Sequence, residues 1–378
     1  MHLSEDEIYR TSTQFRAWSF TPEKLRSIRE NTNKLAAERV SQSIARHKPD
    51  AGPVDCLTPE EEQVIVVRYC LAKEPVRGTR QEFPFVVAAT AIQFLKRFYL
   101  YNSVMVYDPR QIVPSALYFA IKAESWKVVA SEFIECMKGK FPMVDTVDKL
   151  LAPEYLIMQS LRYNISVRHP LRGLDGGHME LIAMAKGKAA LLPWLGKTAS
   201  EMQQEMLRLP PKGPGHTHEQ SEQGLLKREA ESYYDTDYYV RSTALYTDAY
   251  FHYTPPQIWL AALLLADEPL ALFYLDTKFP RSDDLSPLKE KVLSTIRACA
   301  VMLKSWSPVP KEEMTLLEKK RDACADPEKA DLVTLNRAQK REGTQDGLDE
   351  NVAKKRKLER EKHEKQADTF WGPEISKG

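Results

Sequence analysis

Residues 109–120 read PRQIVPSALYFA and residues 255–266 read PPQIWLAALLLA. Aligned without a gap, Pro109/Pro255, Gln111/Gln257, Ile112/Ile258, Ala116/Ala262, Leu117/Leu263 and Ala120/Ala266 coincide, each pair 146 residues apart. The apolar positions Ile112, Ala116, Phe119 and Ala120 have the three-and-four spacing of one helix face. Just upstream, TAIQFLKRFY (90–99) is similar to TALYTDAYFH (243–252), with the following connection shorter by seven residues in the later copy. A helix, a loop and a second helix thus occur twice in the same order, which predicts a core of two stacked copies of one small helical unit.

Helix starts repeat one device, a capping residue followed by proline: Thr21-Pro22, Thr58-Pro59, Asp108-Pro109, Thr254-Pro255 and Ser286-Pro287. Proline is tolerated at the first helical position because the N–H it lacks has no helical partner there, while the residue before it supplies an acceptor to the first turn. Glu61, Gln111 and Gln257 stand at the third helical position, where a capping box places its carboxylate or amide. With Val64, Val67 and Leu71 also helically spaced, and only 15 glycines in 378 residues, the chain reads as all-α. Pro84–Tyr101 and Tyr155–Val167 are apolar around most of the circumference, so both are expected to be central helices.

Four regions are expected: an extension at 1–54 with an amphipathic helix at 22–40 (Leu25, Ile28, Leu35 and Val40 on one face); copies at 55–168 and 169–305; and a charged end at 306–378. The second copy carries an insertion at about 188–225, helical over AALLPWLGKTASEMQQEMLRL and a loop over PPKGPGHTHEQSEQG. More than half of residues 311–365 are charged, which predicts a solvated helix near 311–340 followed by a disordered tail. A net charge of +1 gives no reason for whole-surface attraction to nucleic acid or membrane. Five scattered cysteines without a C-x-x-C pair read as reduced thiols, not a zinc or disulfide framework. No apolar run reaches 18 residues and MHLSEDEIYR lacks the features of a signal peptide, so a soluble, unsecreted protein is expected.

No nucleotide-binding, metalloprotease, nucleophile-elbow or protein-kinase motif is present, so no catalytic residue, metal site or cofactor is assigned. His216 and His218 with Glu219 and Glu222 lie in a Pro/Gly loop without a rigid second shell, and Asp235/Asp237 and Asp283-Asp284 are explained by helix starts. Lys340-Arg341 and, twelve residues later, Lys354, Lys355, Arg356 and Lys357 are spaced as a bipartite nuclear-import signal; a solvated charge run is the alternative. In LYFAIKAES (117–125) a lysine closes an apolar helix. Lys122 either extends its stem along the surface or sits on a face built to grip a partner.

FLKRFYLYNSVMVYDPRQI (94–112) with ALYFAIKAE (116–124) resembles the cyclin box, and within the cyclin family its H-type members. EYLIMQSLRYNISVRHPLR (154–172) and TDAYFHYTPPQI (247–258) extend the resemblance, which covers about 15–40, 55–170 and 230–305; the insertion points to a fungal version. The resemblance implies two tandem five-helix cyclin boxes with flanking helices, and a nuclear regulatory subunit that performs no chemistry itself. It further implies a cyclin-dependent kinase of the CDK-activating type as partner, with a RING-finger assembly factor and the core of transcription factor IIH. Implied substrates of that kinase are RNA polymerase II C-terminal repeats and other cyclin-dependent kinases. In cyclins a lysine of the third helix and a glutamate of the fifth hold the kinase's regulatory helix, and the matching positions are Lys122 and Glu154. Ala123, Met158 and Tyr163 match the apolar contact surface, though each is equally compatible with the core. The competing class is a scaffold resembling transcription factor IIB, which binds DNA without activating a kinase; neutral charge and unclustered cysteines count against it. An unrelated helical-repeat scaffold would need three or more units, and two are visible.

Overall fold

The structure, a computed structural model, describes residues 5–49, 52–71, 83–213, 219–279 and 286–337, and every regular element among them is helical. The chain divides into two units, Met1–Pro327 and Glu328–Gly378. In the first, α1 (Glu5–Thr11), α2 (Thr13–Trp18) and α3 (Pro22–His47) precede α4 (Pro59–Leu71), α5 (Phe85–Tyr101), α6 (Pro109–Ala123), α7 (Ala130–Met137), α8 (Val147–Leu151) and α9 (Glu154–Ser160). After a connection over 161–170 come α10 (Leu171–Ala185), α11 (Ala199–Leu207), α12 (Glu222–Arg241), α13 (Thr243–Tyr246), α14 (Ala249–His252), α15 (Pro255–Ala266), α16 (Glu268–Asp276), α17 (Ser286–Ser305) and α18 (Lys311–Ala323). In the second unit, Asp331 opens a short helical turn by accepting from the N–H groups of Val333 and Thr334, both at 3.0 Å.

The caps form as their chemistry requires. Thr21 Oγ1 accepts from Lys24 N–H at 3.3 Å. Thr58 and Glu61 exchange both bonds of a capping box, at 2.8 and 3.2 Å, and Thr254 N–H donates to Gln257 Oε1 at 2.9 Å. The Asp108 carboxylate instead accepts from the backbone and guanidinium of Arg110, two places on, because Arg110 can fork onto both of its oxygens.

The duplicated block is a duplicated helix. Ile112, Ala116 and Ala120 on α6, and Ile258, Ala262 and Ala266 on α15, are buried at equivalent positions, with Leu117 and Leu263 beside them. The alanines let neighbouring helices approach: α6 lies on α5, where Phe94 and Phe119 meet at 5.4 Å, and α15 lies on α12 and α17. The copies part at two places. Trp259 stands where the first copy has Val113, and its ring occupies space that side chains on α10 would need. A Cβ at Gly177 would come within 1.8 Å of Trp259 Cζ2, and one at Gly173 within 2.8 Å of Cδ1, which accounts for two glycines inside that helix. Second, α5 runs unbroken through residues 90–99, whereas the equivalent stretch breaks between α13 and α14. The break frees carbonyls, and the buried Lys96 of α5 donates to two of them, Thr247 O and Leu245 O.

Four expectations are corrected. Tyr155–Val167 is not a central helix: α9 ends at Ser160, after which Arg162 (φ 52°) and Tyr163 (φ 58°) turn the chain through the left-handed region. Helix α3 runs to His47 and buries Leu25, Ala36, Val40, Ser43 and Ile44, leaving Leu35 66% exposed. At 100° per residue Leu35 lies about 80° from Leu25 and Ala36 about 20°, so Ala36 takes the buried position, while Leu25 and Val40 lie on the expected face. Helix α18 stops at Ala323 and is not solvated all round. Lys320 pairs with Glu61 (3.0 Å) and buried Arg321 with Asp108 (3.0 Å), which docks the helix on the first copy, while buried Asp326 beyond it meets Ser43 (2.7 Å) and Arg39 (2.9 Å) of α3. Among the described residues of the insertion the α-helix covers Ala199–Leu207, preceded by a 3-10 turn at Pro193–Leu195, and α12 already begins at Glu222. His216, His218 and Asp283-Asp284 lie outside the described residues.

Candidate functional site

Lys122 occupies the last turn of α6 and Glu154 the first turn of α9. The chain leaves α6 by a reversal at Ser125 (φ 57°), where Trp126 N–H bonds back to Ile121 O at 2.9 Å. It then returns through α7 and α8 to start α9 against α6. Across that junction the Lys122 ammonium forms an ion pair with Glu154 Oε1 and lies 5.1 Å from the centre of the Tyr118 ring and 5.8 Å from that of Phe119. The lysine side chain keeps 40% of its surface exposed and the glutamate 24%. An ammonium has three donors, so Lys122 retains capacity for acceptors arriving from outside.

Apolar and aromatic side chains adjoin the pair in sequence. Ala123 and Met158 are half-buried, Tyr163 is exposed, and Tyr155 and Trp126 are exposed beside them in sequence. Tyr155 and Tyr163 share a hydrogen bond, which raises the Tyr163 phenol above its ordinary range. Two consecutive non-glycine residues in the left-handed region cost roughly 1 kcal/mol each. The turn is held by Arg162 N–H to Gln159 O (2.8 Å), by Tyr163 N–H to Met158 O (2.9 Å), and by the Arg162 guanidinium 4.7 Å above the Tyr101 ring. It displays Tyr163 rather than continuing the helix.

Beneath this surface a buried polar network fixes the connection between the copies. Arg97 donates to Asn164 O (3.4 Å), Ser166 O (3.3 Å) and Gln14 Oε1 (3.3 Å), and Gln14 also receives Arg168 N–H at 2.7 Å. Thr90 uses its one hydroxyl proton on Glu124 Oε1 at 2.6 Å, so it accepts from His169 Nε2–H at 2.9 Å. The other ring nitrogen then accepts from Tyr250 OH at 3.0 Å. Burial, aided by the Arg97 charge, lowers His169 to about 3, so it stays neutral in that tautomer.

A second charged cluster joins α3, α5 and the α13–α14 break. Asp248 takes both terminal nitrogens of Arg29 at 2.7 Å and lies 3.9 Å from Lys96 Nζ. Burial acts to raise Asp248, but the Arg29 bonds and the two cations outweigh it and hold the carboxyl at about 2. Burial lowers Lys96, and Asp248 opposes that shift.

The five residues singled out in the sequence therefore fall on α6, α9 and the turn after it, with Lys122 and Glu154 in direct contact. Tyr155 and Trp126, exposed next to the pair in sequence, were not singled out there; Tyr155 lies inside a segment that reads as a central helix. Lys340, Arg341, Lys354, Lys355, Arg356 and Lys357 lie outside the described residues. Among the described residues no group of three or more His, Cys, Asp or Glu is placed to hold a metal ion, and no helix is long and apolar enough to cross a membrane.

Residues 169–304 match the family model of the cyclin C-terminal domain. A chain of the CAK complex from Chaetomium thermophilum bound to ATP-γ-S is 32% identical, covers 92% of this chain and 98% of its own, and superposes with a TM-score of 0.71. The chain belongs to the cyclin family. Within it the cyclin is of the H type: a probable cyclin-H of Echinococcus multilocularis is 34% identical over 47% of this chain and 55% of its own length. Cyclin CCL1 of Saccharomyces cerevisiae is 28% identical over 74% of this cyclin and 63% of its own length. A chain of the yeast TFIIK (Kin28/Ccl1/Tfb3) complex is 29% identical, covers 78% of this cyclin and 100% of that chain, and gives a TM-score of 0.53. The cyclin thus spans less than two thirds of the length of the first two curated relatives.

Proposed function

We propose that this cyclin is the non-catalytic regulatory subunit of a CDK-activating kinase, binding and activating a cyclin-dependent kinase through the face around Lys122 and Glu154. The reading takes 55–168 and 169–305 as the two boxes. The observation that carries it is the ion pair itself. It closes the junction of two helices yet stays open to solvent, resting on the rings of Tyr118 and Phe119, with Tyr155 exposed next to Glu154 in sequence. A face of that kind suits a helix whose carbonyls accept the spare ammonium donors and whose apolar side chains cover Tyr155, Tyr163 and Trp126. Both complexes that this chain resembles are kinase assemblies by name, CAK and TFIIK, the latter with Tfb3 as a third component.

The mechanism is differential binding. A protein kinase needs its β3 lysine paired with the αC glutamate before the ATP phosphates are held correctly. A preformed helical face that favours that state by about 4 kcal/mol changes the ratio of states roughly a thousandfold. The same reading includes a RING-finger assembly factor and the core of transcription factor IIH as further partners. It places the complex in the nucleus, acting on RNA polymerase II C-terminal repeats and on other cyclin-dependent kinases.

The test is co-purification with the CDK-activating kinase of the same organism, followed by phosphorylation of a C-terminal repeat peptide. Lys122→Ala with Glu154→Ala is expected to weaken kinase binding by about 2 kcal/mol, some thirtyfold, with thermal melting of the free cyclin almost unchanged. Failure of the wild-type cyclin to form any complex would sink the reading and put a transcription scaffold in its place.

A further inference from the structure

The insertion builds a surface that the kinase-directed face does not use. After α10 the chain turns at Gly187 (φ 62°), continues without regular structure to the 3-10 turn Pro193–Leu195, turns again at Gly196 (φ 59°) and enters α11. Its underside is anchored: Leu195, Met202 and Met206 are buried, Gln203 Nε2 donates to Ala185 O at 2.6 Å, and Lys197 pairs with Glu205. Stability therefore does not call for apolar side chains on the outer side. Leu192, Trp194 and Met179 of α10 nevertheless stand 36%, 46% and 70% exposed. Met179, Leu192, the end of α10 and Thr277–Lys278 line a groove of about 460 Å³, with Met184 and Leu195 also in its lining, and Trp194 precedes Leu195 in sequence. That volume suits one or two inserted side chains. An exposed tryptophan on a turn whose next residue lines a groove with apolar side chains is the composition of a binding hot spot.

The charge around it is one-sided. Glu180, the carboxylate in the lining, is already engaged by Lys278 and by Tyr274 OH at 2.9 Å. Lys186 and Lys188 are exposed and have no carboxylate partner among the described residues. We propose that this groove receives an acidic peptide segment of a partner protein, an aliphatic or aromatic side chain entering between Met184 and Leu195 and flanking carboxylates meeting Lys186 and Lys188. Cationic rim and apolar floor together select such a segment: a basic peptide is repelled, and a free anion leaves the floor uncovered.

The experiment selects short random peptides displayed on phage against the full-length chain, with the Leu192→Ser/Trp194→Ser variant as counter-target. Fluorescence anisotropy of the enriched peptides follows. The expected peptides carry Asp or Glu around a large apolar residue. They should lose about tenfold or more in affinity both for that variant and for Lys186→Glu/Lys188→Glu, the shift one lost hot-spot contact produces. Circular dichroism melts of both variants should match the wild type, since no buried residue is changed. Reversing the peptide's carboxylates to lysines should restore binding to the Lys186→Glu/Lys188→Glu variant. Enriched peptides that are basic or uncharged, or that bind all three proteins equally, would overturn the proposal. So would sedimentation showing a dimer that Leu192→Ser/Trp194→Ser dissolves, which would assign the face to a second copy of this chain.

Discussion

Lys96 and Lys122 stand on adjacent helices of the first copy and each reaches a carboxylate, but their surroundings are opposite. The Lys96 side chain is 4% exposed, and its partner Asp248 is 25% exposed and also held by Arg29. The Lys122 side chain is 40% exposed, with Glu154 as its carboxylate partner. In the first cluster Lys96 donates to two carbonyls freed by the α13–α14 break and Arg29 donates to both oxygens of Asp248, so its charges hold the two copies and α3 together. In the second, capacity is left over, and water screens the pair. A closed ion cluster is a fastening whose loss costs stability; an open one contributes little to stability and is available to a partner.

The contrast can be broken most forcefully at Asp248. Asp248→Asn leaves Lys96 buried without its carboxylate and is expected to cost about 3 kcal/mol, read as a lower urea midpoint at unchanged slope. A loss below about 1 kcal/mol would show that water reaches Lys96 and that the cluster is open after all. The next effect concerns His169, which lies under the Lys122 turn through Thr90 and Glu124. Its folded value of about 3 lies below the ordinary 6.5, so the unfolded chain binds one more proton between them. That contribution is complete above about pH 6.5 and declines as pH falls toward 3, at about 1.4 kcal/mol per pH unit. Urea unfolding of His169→Gln at successive pH values should be shallower by that one proton between about pH 6 and 5; parallel curves would mean that the ring is not held neutral. Smallest is the stability effect of Lys122→Ala, expected below about 1 kcal/mol although the same change weakens kinase binding. A large loss of stability there would make Lys122 a second fastening and remove the distinction.

Legibility differed between the two clusters for the same reason. Lys122 and Glu154 were found through a resemblance carried by contiguous motifs, and Tyr163 came with them. Arg29, Lys96 and Asp248 belong to three unrelated segments, and no local pattern joins a lysine on an apolar helix to an aspartate 152 positions later. Tyr155–Val167 was misread because apolar content marks burial only on average. Here the tyrosines face outward and the helix is cut short by left-handed residues that carry no glycine signature. The charged run at 311–326 misled in the opposite direction, since composition cannot distinguish a solvated charge from one meeting Glu61, Asp108 or Arg39.

Short-range physics accounts for what could be read directly: capping oxygens, proline at first helical positions and three-and-four apolar spacing all act within a few residues, and the repeat at an offset of 146 shows the same local pattern twice. They suffice for an all-helical chain with a duplicated core. Which lysine is closed off and which remains available, where the second copy's helix breaks, and which face of the insertion is left uncovered depend on groups brought from distant segments. Those outcomes emerge only once the helices have packed, because desolvation and pairing act on three-dimensional neighbours and not on neighbours in the chain.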